Sequence, residues 1–290
     1  MKKHFTFLIM VYCCVAIQAQ PRLVRKLRQN HITGAWKDTS DIVFTYNSGG
    51  QTLLRTYNGL WVSGTIPGWK DSSVYNTSGQ LDTTYVFNWN DSASRFDSLP
   101  GGVLAYQYNT SGNLLKIVRY YPTINRTFID SFVYNSSGWV AEMITIEPDS
   151  PWVDYNYKIE YTYNSAGQVL TEIQYYSGPN WIPQNKYESI YISGQLTERQ
   201  YFRWNNNTTQ WDSSQHSSYT YTAGKLTEEI QDRVFGPGTK IKVTYSYNSF
   251  GLIEEELYLF YDPPSSSYVN GWKEIYYYAS TTGIANVNKT

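Results

Sequence analysis

The sequence predicts an all-β chain: tandem β-hairpins laid side by side as one elongated, twisted antiparallel meander. Three observations predict it. The 290 residues include 29 Tyr, 10 Trp and 11 Phe but only 16% charged residues, where ordinary globular chains carry about 25%. That composition favours strands and excludes coiled coils, collagen and general disorder. A turn string, Tyr-Asn-Ser/Thr-x-Gly, recurs through nearly the whole chain. The residues flanking each string alternate with period 2, and no helical period stands out.

The first element is a leader. Lys2, Lys3 and His4 precede an apolar run from Phe5 to Ile17. That run is shorter than the ~20 residues of a membrane helix and reads as a secretory signal cleaved after Ala19. Both cysteines, Cys13 and Cys14, lie inside it. The mature chain would therefore lack disulfides, thiolate metal sites and cysteine nucleophiles. Its net charge becomes −3, with 21 Lys+Arg against 24 Asp+Glu once Lys2 and Lys3 are removed. A near-neutral chain with dispersed charge is not a nucleic-acid binder. Residues 20–35 form a basic segment, with Arg22, Arg25, Lys26 and Arg28 read as a solvated arm.

The repeat domain follows, over residues 36–279. Six full strings open at Tyr46, Tyr75, Tyr108, Tyr134, Tyr163 and Tyr247, and two shorter ones at Tyr191 and Tyr221. Their closing glycines, from Gly50 to Gly251, step by 29, 33, 26, 29, 27, 30 and 27 residues. That makes eight units, with a degenerate ninth near Gly283. Asn or Ser suits the first position of a type I turn, and a left-handed Gly closes a three-residue hairpin loop. The short versions, Ser193-Gly194 and Ala223-Gly224, fit two-residue turns.

Counting from each closing Gly, positions +2, +6 and +8 are mainly apolar or aromatic. Position +4 carries a polar stripe of Lys116, Glu142, Glu198, Glu228 and Glu255. Strict alternation puts these positions, and the turn tyrosines, on one half-buried face. Each unit also has an aromatic before its first strand: Trp36, Trp69, Phe96, Phe128, Trp152, Trp181, Trp211 and Trp272. Sixteen strands spaced ~4.8 Å apart would make an open stack roughly 75 Å long, coiled by strand twist. Residues 280–290 form a C-terminal linker or tail.

The Tyr-Asn-x-x-Gly-x-Leu string resembles the signature of YD (Rhs-type) repeat proteins, with Asn in place of the usual Asp. The resemblance spans about residues 36–283 and implies β-hairpin repeats wound into spiral sheets or hollow shells, with this chain too short for a closed shell holding cargo. The longer, Trp-containing units are similar to secreted repeat proteins of Bacteroidetes-type bacteria. The tail Thr281-Thr282-Gly283-Ile284 resembles the linker before a type IX secretion sorting domain. The resemblance thus implies a type IX substrate whose sorting domain is absent from this sequence.

Chemistry-bearing motifs are sparse. Only His31 and His216 follow the leader, and no nucleophile elbow, phosphate loop or zinc motif occurs. Glu228-Glu229 and Glu254-Glu255-Glu256 could pair as glycosidase carboxylates, but neighbours on a strand point to opposite faces. No cofactor is implied. Trp152, Trp181, Trp211 and Trp272 are the candidate glycan contacts, because sugars stack on aromatic faces. The sequence therefore points to a non-enzymatic, secreted or cell-surface repeat protein acting as a structural or adhesive scaffold. The alternative is a polysaccharide-binding module. Expected partners are an extracellular glycan or protein surface, with no nucleic acid and no transmembrane span in the mature chain.

Overall fold

The computed structural model describes residues 21–61, 64–148, 156–177, 180–233 and 240–279. The leader, the C-terminal tail and Trp152 lie outside the described residues. The strands are β1 (Arg22–Ile32), β2 (Ala35–Tyr46), β3 (Thr52–Trp61), β4 (Gly64–Tyr75), β5 (Leu81–Asn90), β6 (Arg95–Phe96) and β7 (Gly102–Tyr108). Then come β8 (Leu114–Tyr121), β9 (Arg126–Tyr134), β10 (Val140–Ile146), β11 (Tyr157–Tyr163), β12 (Val169–Tyr176) and β13 (Ile182–Ile192). The last are β14 (Gln195–Asn205), β15 (Gln210–Thr222), β16 (Lys225–Arg233), β17 (Lys240–Tyr247), β18 (Ile253–Asp262) and β19 (Ser267–Ala279). The all-β antiparallel meander holds.

The open sheet does not. β1 pairs with β2 on one side and with β19 on the other, from Arg22 opposite Ala279 to Asn30 opposite Trp272. The two-residue β6 pairs only with β5, and β5 pairs onward with β7. Eighteen strands therefore close into a barrel. Closure has a clear physical reason. An open meander of this size leaves two edges of unpaired N–H and C=O groups, and its accumulated twist already curls it.

The basic segment is correspondingly a strand and not a solvated arm. β1 copies the second half of a repeat. In each of the six full strings the turn tyrosine hydroxyl donates to a backbone carbonyl of the preceding hairpin, two residues past its closing glycine where it has one. Examples are Tyr75 to Thr52 (2.8 Å), Tyr108 to Leu81 (2.9 Å) and Tyr163 to Val140 (2.6 Å). Tyr46 makes the same bond to Leu23 of β1 at 2.5 Å, and Tyr278 of β19 makes it to Ile253 at 2.9 Å. β19 and β1 are thus the two halves of a ninth hairpin joined by pairing alone.

The turn chemistry follows the sequence. The closing glycines of the full strings have φ between 78° and 89°. Asn164 Oδ1 accepts from the backbone N–H groups of Ala166 and Gln168, both at 3.0 Å. The short strings are two-residue turns with both residues left-handed: Ser193 and Gly194 at φ 51° and 81°, Ala223 and Gly224 at 50° and 79°.

A bulge changes the face assignment. Tyr163 pairs with Val169, but Thr162 pairs with Thr171, so Leu170 is skipped. The same slip follows position +2 in the other turns, for example between Tyr247 and Ser246 opposite Ile253 and Glu255. The turn tyrosine and +2 therefore lie on one face with +5, while +4, +6 and +8 lie on the other. The single half-buried face expected from alternation is corrected on this point.

The two faces differ in crowding. On the +4 face, Val133, Ile190 and Val74 are 52%, 52% and 45% exposed. On the +5 face Asp71, Asp130, Thr145, Ser217 and Val243 are buried. Side chains splay on the convex side of a barrel and converge on the concave side, so the +5 face lines the lumen. Leu27 and Asp41, paired beside the seam, are buried on the outer face. No dry core forms.

A left-handed Ala costs about 1 kcal/mol relative to Gly or Asn. Ala223→Asn is expected to raise the melting temperature by a few degrees in a thermal melt. An unchanged or lower value contradicts the two-residue turn.

Candidate functional site

The outer face carries a repeated box of lysine, aromatic and carboxylate. Lys158 Nζ lies 4.5 Å from the Tyr175 ring centroid and 5.7 Å from that of Trp181, with Glu160 at 2.5 Å. Lys186 lies 4.4 Å from Phe202 and 5.3 Å from Trp211, with Glu188 at 2.8 Å. Lys70 sits between Phe87 and Phe96. Lys242 reaches Tyr268 and Glu228, and Lys273 reaches Glu255. Lys273 also lies 5.0 Å from Trp36, so the same contact spans the seam. Cation–π contacts of this kind contribute about 0.5–1 kcal/mol each at exposed sites.

The aromatic column therefore does not form one row. Trp181 and Trp211 are reached by outer-face lysines. Trp272 lies in the lumen, stacked on Tyr258 at 4.5 Å and 15°, with the Arg28 guanidinium 4.8 Å from its ring. The reason is again the bulge, which changes side between connectors. His216 is half-buried and lies 3.4 Å from the Glu198 carboxylate. Adjacent glutamates do point to opposite faces: Glu228 pairs with Lys242 outside, while Glu229 accepts from the Tyr245 hydroxyl inside at 3.2 Å.

The lumen holds a belt that alternation from +2 to +8 missed. Position +5 supplies Arg55, Glu172, Arg199, Glu229 and Glu256. Arg199 pairs with Glu172 at 3.3 Å, Arg119 with Asp130 at 2.7 Å, and Arg55 with Asp71. Thr145 Oγ1 donates to Asp130 at 2.6 Å. Tyr258 donates to Glu256 at 2.9 Å, and Tyr276 shares its single O–H between Glu256 at 2.9 Å and Glu274 at 3.1 Å. Glu274 meets Lys26 across the seam at 2.5 Å. Two concavities open on this face. One of 330 Å³ is lined by Arg119, Tyr121, Phe128 and Tyr157, and one of 520 Å³ by Tyr187, Tyr201, Arg203, Ser214, Gln215 and Arg233.

Burial and the neighbouring glutamates keep these phenols protonated. Burial first, then the Glu229 charge, pushes Tyr219 up to about 12. Tyr245, Tyr258 and Tyr276 are raised further by burial and by Glu229, Glu256 and Glu274. A phenol with a raised folded pKa stabilises the fold fully below the unfolded value near 10. That contribution is lost as pH rises from there through about 12 for Tyr219. The melting temperature is expected to fall between pH 10 and 12, with phenolate absorbance appearing together with unfolding. Ionisation of all tyrosines near pH 10 in the folded protein contradicts the belt.

No family model and no curated protein matches the chain. Solved structures do. A porin-like protein from Bacteroides uniformis is 7% identical over 89% of this chain and 96% of its own, with a TM-score of 0.47. A porin-like protein from Bacteroides vulgatus is 8% identical over 89% and 99%, with a TM-score of 0.31. The Tc holotoxin pore of Photorhabdus luminescens is 11% identical over 84% of this chain and 16% of its own, with a TM-score of 0.34. The assignment to YD (Rhs-type) repeat proteins, with type IX export, is corrected accordingly. The finding that overturns it is the closed 18-strand barrel, where an elongated, twisted repeat sheet was expected.

Proposed function

We propose that the chain is a non-catalytic secreted or cell-surface protein, a hollow barrel serving as a structural or adhesive scaffold. The observation that carries this reading is charge on both faces of a closed sheet. Lys158, Glu160, Lys186, Glu188, Lys242 and Lys273 stand on the outer face, and the Arg–Glu–Tyr belt lines the lumen. A lipid-embedded barrel needs an outward apolar band about 25 Å tall, and each Lys or Arg at its midplane costs about 2–4 kcal/mol. No helix among the described residues is long and apolar enough to cross a membrane, which says nothing of strands. The outer lysines and glutamates are what argue for water on both sides. Closure without free edges suits a sheet whose described residues include no cysteine.

The alternative, polysaccharide binding through repeat aromatics, draws on the half-buried rings of Trp181 and Trp211. Lysine already covers part of each ring, which favours the scaffold reading.

Residues 20–290 are expected to purify as a monodisperse species without detergent and to give no conductance in planar bilayers. Small-angle scattering is expected to show a hollow particle. Eighteen tilted strands about 4.8 Å apart give a circle of radius about 18 Å. Detergent dependence with stepwise conductance contradicts the reading. A neutral-glycan array on the protein and on Trp181→Ala/Trp211→Ala tests the alternative; signal lost in the double variant would favour it.

A further inference from the structure

We infer that the 520 Å³ concavity on the lumen face is a binding site for a carboxylate-bearing sugar. This goes beyond the scaffold reading and needs only that the lumen admit solute. The site spans β13 to β16. Tyr187 lies opposite Tyr201, Tyr201 opposite Gln215, and Gln215 opposite Arg233. These pairings set four side chains in a row across the concave face. Arg203 stands one pleat from Tyr201 on the same strand face.

Two features point to an anion. Arg203 and Arg233 have no carboxylate partner among the described residues. By contrast Arg55, Arg119, Arg199 and Lys26 on the same face each have one. Arg203 Nε donates only to the Tyr201 hydroxyl, at 3.2 Å. Asp212 stands opposite Arg203 in register, but its carboxylate accepts from Asn205 Nδ2 at 2.8 Å. Glu172, beyond Tyr187, is taken by Arg199. The concavity therefore keeps two guanidiniums with free donors, the groups suited to bidentate carboxylate recognition.

Two further features point to a sugar. Tyr187 and Tyr201 stack at 4.9 Å and 26°, with Arg199 4.4 Å from the Tyr187 ring and Arg203 5.9 Å from the Tyr201 ring, giving a rigid wall that offers ring edges and guanidinium groups to a ligand. The Tyr201 hydroxyl is fixed by donation to Asn185 Oδ1 at 2.6 Å. Gln215 adds an amide able to donate to and accept from ring hydroxyls. The volume falls within the range of small-ligand sites, about 300–1,000 Å³. An inorganic anion would use the arginines but not the tyrosine wall.

The test is calorimetric titration of the full chain with tetragalacturonate, with maltotetraose and sodium sulfate as separate arms. Tetragalacturonate is expected to bind at 20 mM salt, to weaken at least tenfold at 300 mM, and to bind at least tenfold more tightly than either control. Arg203→Gln/Arg233→Gln is expected to lose that binding while keeping the wild-type melting temperature. If that variant does not fold, Tyr201→Leu is the second variant, expected to weaken tetragalacturonate and leave sulfate unchanged. No tetragalacturonate binding, salt-independent binding, or equal binding of maltotetraose overturns the proposal. Equal binding of sulfate reduces the site to a simple anion site and also overturns it.

Discussion

One hydrogen bond recurs at every full turn string of the ring: the turn tyrosine hydroxyl to a backbone carbonyl of the preceding unit. It ties each hairpin to its neighbour at the rim where the turns sit. Tyr46 to Leu23 and Tyr278 to Ile253 continue the series into β1 and out of β19. Each such bond contributes about 1 kcal/mol, but the geometry matters more than the sum. The contact ties consecutive hairpins together, and pairing of β1 with β19 closes the series into a ring. Gln51, Gln80 and Gln168 reinforce the same rim by donating to the next closing-glycine carbonyl, at 2.8, 3.2 and 2.7 Å.

Stability in such a molecule is spread thinly. Among the described residues only Val243 and Thr145 are less than 2% exposed among large side chains. Hydrophobic burial is therefore modest per unit, as in repeat proteins whose units lean on neighbours. Closure compensates by leaving no edge. Charged groups at the seam take part on both faces: Lys26 with Glu274 inside, Lys273 with Trp36 outside. The same arrangement places ion pairs on both faces. It also explains how two arginines can stand unpaired in the lumen without a burial penalty.

Much of this fold was legible in the sequence. The Tyr-Asn-x-x-Gly string gave the turns, their spacing gave the hairpins, and the missing Asn at Tyr191 and Tyr221 marked the tighter loops. The bulge after position +2 was not legible, because one skipped residue leaves no composition signal. It moved +6 and +8 away from the turn tyrosines and hid the +5 belt of Arg55, Glu172, Arg199, Glu229 and Glu256. Closure was illegible for a related reason. β1 lacks the Tyr-Asn turn that marks other units, and its arginines read as a solvated arm. Only its pairing shows that Leu23 occupies a repeat position. The tryptophans were visible as a column, yet their faces depend on bulges in the connectors.

Closure through the split ninth hairpin is the claim on which the lumen and its sites rest. The most direct measurement is an oxidative cross-link between β1 and β19. Gln29 and Lys273 are paired in register on the outer face. In Gln29→Cys/Lys273→Cys, peptide mapping after mild oxidation is expected to find the 29–273 disulfide within one chain in most molecules. In an open sheet those positions lie at opposite ends, roughly 75 Å apart. Only intermolecular disulfides, or free thiols, would then appear, and the barrel would be contradicted.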